Sequence, residues 1–162
     1  MGTTTWDRRL NLEGVLAFGT HQPARTYTQL YRTGVIEVVQ GSILAHKYQE
    51  KLVMPSMLYE QYVFQYLPSF FRVLQELDCT APVVIGLTLI KTRGLVMGVP
   101  DFDLEHGYPI NSDNLFLPEA VVEDLSTPVG KILKPLFDLV WNACGFPSSM
   151  NFDSEGNWVN RH

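Results

Sequence analysis

Arg25, Tyr27, Gln29 and Tyr31 alternate along one short run, "RTYTQLY", so an extended backbone would put all four side chains on one face. A guanidinium, two phenols and an amide presented together could hold a small molecule, with the amide and hydroxyls fixing its orientation. Arg8 and Arg9 could join Arg25 around an anion. The plainer alternative is architectural. Both tyrosine rings would span the edge of the core, resting on Ile36 and Val38 with their hydroxyls in water.

A second cluster is acidic. "DFDLEHG" carries Asp101, Asp103, Glu105 and His106, and alternate carboxylates in a loop can converge on a hard cation through oxygen. Asp101, Asp103 and His106 are the residues such a metal site would use. The glycine turn and distant bidentate glutamate of a calcium loop are absent, so a solvated acidic loop is the favoured reading. "NFDSEGNW", from Asn151 to Trp158, is a weaker variant that a turn with a packed Trp158 explains.

Other chemistry finds no motif. His21, His46 and His106 are scattered, and His162 ends the chain. No Gly-x-Ser-x-Gly elbow is present, and neither cysteine has a histidine close in sequence. Phosphate-cradling GxxxxGK[ST] and GxGxxG loops are missing as well. No catalytic residue is assigned, and no cofactor is implied.

These side chains must be positioned by a chain of 162 residues, the usual size of one domain with a real core. Apolar residues make up 46% and charged residues 18%, which is globular rather than disordered composition. No apolar run is long enough for a membrane-spanning helix, and "MGTTTWDRRLNLEG" lacks the apolar core of a secretory signal. Cys79 and Cys144 both lie among apolar neighbours, which predicts reduced, buried thiols and a cytoplasmic protein. The net charge of −5 divides unevenly: +2 through Arg93 and −7 from Gly94 onward. An acidic second half and the lack of a basic run argue against direct nucleic-acid binding by this domain.

The pattern predicts an α+β domain over 1–162, mainly antiparallel sheet with two principal helices packed on one face. A strand-rich region, 13–50, opens with "EGVLAFG" from Glu13 to Gly19. A hairpin follows, turning at Thr33-Gly34 with Tyr31 facing Ile36, Gln29 facing Val38 and Tyr27 facing Gln40. Helical spacing over 56–77 starts at Ser56 as N-cap, with Pro68 kinking or splitting it. Strands occupy 81–124: "APVVIGLTLI" as a covered central strand, "LVMGV" returning beside it, and "LFLPEAVVEDL" as one more strand, with Pro118 implying an edge or a bulge. A second helix over 128–144 is capped by Thr127 and stopped by Gly145, with an irregular tail at 146–162.

Several of these segments together resemble a known family. "RRLNLEGVLAF", "TYTQLYRTGVIEVV", "MPSMLYEQYVFQYLPSFFRVLQEL", "PVVIGLTLIKTRGLVMGV" and "ILKPLFDLVWNACGFPSSMNFDSEGNW" are similar, in order, to the region that follows the Schlafen-type AlbA domain in bacterial proteins. Those proteins are commonly described as ATP-binding, helix-turn-helix or DNA-binding. The resemblance implies the C-terminal part of a longer protein, with nucleic-acid handling belonging to the other module. It carries over no site residue.

Three functions follow as expectations. The first is a non-catalytic accessory module of a bacterial nucleic-acid-associated regulator, a sensor or a surface for a protein partner or homo-oligomer. The second is a small-ligand sensor for a nucleotide or metabolite, rimmed by Arg25, Tyr27, Gln29 and Tyr31. The third is a metal-dependent enzyme using the loop from Asp101 to His106.

Overall fold

The computed structural model describes residues 6–20, 25–44, 46–48, 50–99 and 108–159. The chain forms two compact units, Met1–Ile43 and Leu44–His162, and the composition gives no hint of that boundary.

The first unit is a four-stranded antiparallel meander: β1 (Trp6–Leu10), β2 (Gly14–Gly19), β3 (Thr26–Tyr31) and β4 (Ile36–Gln40), paired in that order. Asn11 and Gly14 exchange backbone hydrogen bonds of 3.0 and 3.3 Å around Leu12-Glu13, which closes the first hairpin. The Asn11 side-chain oxygen also accepts the Gly14 amide at 2.8 Å. Gly14 is required there, because a Cβ would collide with the carbonyl oxygen of Leu30.

The β3–β4 hairpin differs from its sequence expectation by one residue. The Tyr31 amide donates to the Val35 carbonyl at 2.8 Å and the Gly34 amide to the Tyr31 carbonyl at 3.0 Å. Gly34 has φ +86°, so the loop is the three-residue Arg32-Thr33-Gly34 with a glycine bulge, not a two-residue turn. Leu30 therefore faces Ile36, Gln29 faces Glu37 and Tyr27 faces Val39. A one-residue slip exchanges the two faces of a strand. Ile36 and Val38 consequently lie opposite to the tyrosines, and cannot support their rings.

The second unit holds both helices, α1 (Ser56–Glu76) and α2 (Val129–Ala143). A three-stranded sheet, β5 (His46–Tyr48), β6 (Lys51–Pro55) and β9 (Val96–Gly98), leads into α1. Two antiparallel pairs complete it: β7 (Val83–Ile85) with β11 (Ala120–Val122), and β8 (Thr88–Ile90) with β10 (Asn114–Phe116). The fold is α+β, with β6–β9 the one parallel pairing among the described strands.

The α2 stripe is the core. Leu133, Phe137, Val140, Trp141 and Cys144 are fully buried, and Tyr59 of α1 meets the Phe137 ring edge-on at 5.6 Å. Each large apolar side chain buried here stabilises the unit by about 1.5–3 kcal/mol relative to exposure. Gly145 ends the helix at φ +85°, as its position in the sequence predicts.

Other expectations are corrected. Neither helix is capped by a side chain; Pro55 and Pro128 occupy the N-cap positions, and Ser56 is the first helical residue with its buried hydroxyl unpartnered. Of the kink or split expected at Pro68, the split does not occur: α1 runs unbroken through it. "APVVIGLTLI" is no covered central strand: it breaks at Gly86-Leu87 into β7 and β8, with Val84 and Ile90 each 57% exposed. "LVMGV" supplies β9, which pairs with β6 instead of returning beside β8. Of the thiols, Cys144 is buried and Cys79 only half-buried.

Candidate functional site

Tyr27, Gln29 and Tyr31 do share one face of β3, as their alternation predicts. Glu37 of β4 and Leu16 and Phe18 of β2 join them there through the cross-strand register. Both phenols donate to the same Glu37 oxygen, Oε2, at 3.0 Å from Tyr27 and 3.1 Å from Tyr31. Burial, then the bond to Glu37, raises the Tyr27 hydroxyl above its ordinary pKa. For Tyr31 the bond to Glu37 is the main cause of the same upward shift.

Gln29 is turned inward. Its carbonyl accepts from the Asn11 amide nitrogen at 2.8 Å, and its own nitrogen donates to the Leu30 carbonyl at 3.2 Å and to Asn11 at 3.4 Å. Gln29 is 4% exposed, and these bonds pin the β1–β2 hairpin to β3. Arg25 is exposed, and its carbonyl accepts the Gly41 amide at the mouth of the second hairpin. Arg8 and Arg9, adjacent on β1, face opposite sides of the sheet, so they cannot gather with Arg25 around one anion. Arg9 instead stands over the Phe18 ring, 5.6 Å from its centre. Thus the face carries a tyrosine–glutamate–tyrosine clasp, with the central amide of the predicted rim used internally.

Asp101, Asp103 and His106 lie outside the described residues. Among the described residues, no group of three His, Cys, Asp or Glu side chains is placed to hold a metal ion.

The second unit contains a cluster that sequence reading missed. Glu60, on the buried face of α1, is fully buried. Its Oε1 accepts from the Trp141 indole at 2.7 Å, the Ser149 hydroxyl at 2.8 Å and the Tyr59 hydroxyl at 3.2 Å. Its Oε2 accepts from the Asn151 amide and the Trp158 indole, both at 3.0 Å. Burial in the core, with the neighbouring Glu60 charge second, pushes the Tyr59 hydroxyl well above its usual pKa.

Neutral donors from α1, α2 and the tail therefore surround one carboxylate. A buried charge is tolerable only when its lone pairs are filled, and here both oxygens are. The tail is held by further contacts: Trp158 stacks on Phe64 at 5.1 Å, and Asp138 accepts the Ser149 amide at 2.8 Å while pairing with Lys134. Glu60 thus ties the segment 149–158 to both helices, an arrangement that leaves its oxygens occupied. The available signal was a single glutamate beside Tyr59 inside an apolar helical stripe.

Cys144, in the same core, has its thiol pushed up to about 12 by burial, which removes it as a nucleophile at neutral pH. Among the described residues, no helix is long and apolar enough to cross a membrane. No family model matches the chain, and no curated protein or solved structure matches it either.

Proposed function

We propose that this chain is a non-catalytic accessory module that works through a protein-binding surface, and that the Met1–Ile43 unit provides it. One observation carries the reading. Among the described residues of that unit no apolar side chain is buried, while Trp6, Leu10, Leu12, Val15, Val35 and Val38 are all substantially exposed. A sheet of this size with no buried apolar layer is marginal by itself, and contact with another surface supplies the missing layer. The resemblance noted above adds a context, a bacterial nucleic-acid-associated regulator, in which such a module would serve as sensor or partner contact.

The test pairs light scattering over a range of concentrations with a thermal-shift panel of nucleotides and metabolites. Self-association, or capture of a defined protein partner that masks Trp6 fluorescence, supports the reading. A large melting shift with a small molecule, abolished by Tyr27→Ala or Tyr31→Ala, would replace it with a ligand-sensor function.

A further inference from the structure

β1 is an edge strand. Its five residues are all exposed, and β2 is its one strand neighbour among the described residues. The paired bonds between Asn11 and Gly14 fix the phase of the ladder. Asp7 and Arg9 then direct their backbone groups toward β2, while Trp6, Arg8 and Leu10 direct theirs outward. In keeping with that phase, the Arg8 amide is taken by the Asp7 carboxylate, at 2.7 Å, instead of by a carbonyl of β2.

Another antiparallel strand on this edge must set its own outward residues against Trp6, Arg8 and Leu10. The sequence Trp6-Asp7-Arg8-Arg9-Leu10 meets that demand when paired with itself about Arg8. Trp6 then opposes Leu10 of the second copy, and Asp7 opposes Arg9, each contact occurring twice. Asp7 and Arg9 fall at the close, non-hydrogen-bonded positions, where side chains lie nearest. Centring the pairing on Asp7 or on Arg9 instead would set like charges face to face and shorten the ladder. The Arg8 pair at the two-fold axis is the one like-charge contact, and its long side chains can separate into solvent.

Charges on an edge usually discourage pairing. Here Asp7 and Arg9 are placed so that antiparallel self-pairing sets each against the opposite charge, leaving Arg8 to turn into solvent. The geometry points to an isologous dimer in which two β1 strands pair antiparallel about Arg8, joining two four-stranded sheets into one. The inference rests on reading the Met1–Ile43 unit as an interaction surface, and it names a second copy of the chain as the occupant. In the dimer Asp7 leaves the Arg8 amide for Arg9 of the second copy. That frees the amide for the Arg8 carbonyl of the second copy, within about six new backbone hydrogen bonds.

Sedimentation velocity on the full chain, from about 1 to 200 µM, tests this with charge swaps. Asp7→Arg and Arg9→Asp should each weaken the dimer by about tenfold or more, and the double swap should restore it. Arg8→Pro removes an outward amide that β2 does not use, and should give a folded monomer by circular dichroism. A wild-type chain that stays monomeric throughout overturns the inference, as does a dimer indifferent to every swap. Neither result touches the broader surface reading, which fails separately if a small molecule produces the Tyr27- and Tyr31-dependent melting shift.

Discussion

Replacing Glu60 by glutamine keeps the shape of the side chain and changes one acceptor oxygen into a donor. With the amide carbonyl at the Oε1 position, Trp141, Ser149 and Tyr59 retain an acceptor, but a neutral and weaker one. The new amino group then faces the Asn151 nitrogen and the Trp158 indole. Asn151 can turn its amide to present oxygen, whereas an indole N–H has no such option. At least one donor is therefore orphaned, at about 1–3 kcal/mol, less for Trp158 because it is only partly buried. Losing the charge-assisted character of the other bonds adds about 1–2 kcal/mol, and relief of carboxylate desolvation returns part of it. The net expectation is about 2 kcal/mol of destabilisation, a sizeable share of a typical domain's 5–15 kcal/mol. Urea unfolding followed by tryptophan fluorescence is the assay, since two of the reporters donate to Glu60. Glu76→Gln, exposed at the end of α1, is the control and should be silent. A Glu60→Gln variant within about 0.5 kcal/mol of wild type would refute the view that this carboxylate ties the tail to the helices.

Three further outcomes follow from the same geometry. Tyr27 and Tyr31 have raised pKa values in the folded sheet, so the stability they confer is complete below their ordinary value of 10.0 and is lost as the pH rises through the raised values. Ultraviolet titration of Glu37→Ala should move both phenols back toward the ordinary value, because the bond to Glu37 is the largest cause at Tyr31 and second to burial at Tyr27; unchanged titration of both would contradict the clasp. In the native protein at pH 8, a thiol reagent should label Cys79 first and reach Cys144 only on unfolding, given the Cys144 thiol raised to about 12; equal labelling rates would count against that core. Gly14→Ala should destabilise the first unit by about 2 kcal/mol or more, through a Cβ forced against the Leu30 carbonyl; circular dichroism melting would show it, and a neutral result would mean the turn relaxes freely.

How much of this was legible depended on whether one force acted alone. The α2 stripe and its Gly145 stop could be read directly, because a helix packed along one side repeats its apolar residues at helical spacing and needs a left-handed exit. The β3–β4 hairpin was visible too, but its register was not. A glycine at position 34 suits a two-residue turn and a three-residue bulged loop equally, and the choice exchanges the faces. β1 was missed, since three charges in five residues hide the alternation that marks a strand. "APVVIGLTLI" misled in the other direction, because a continuous apolar run reads as a covered strand whether or not anything covers it. The acidic loop drew attention as chemistry, while the one carboxylate at the centre of a network, Glu60, stood alone among tyrosines and valines. Its donors come from residues up to Trp158, a separation no local pattern could bridge.

Residue-resolved amide exchange at low and high protein concentration tests the central claim most directly. If the first unit functions by offering its β1 edge to another copy, the amides of Arg8 and Leu10 should exchange quickly in dilute solution. They should slow markedly as concentration rises, while Arg9, bonded to β2, stays protected throughout. Exchange at Arg8 and Leu10 that is equally fast at both concentrations would contradict it.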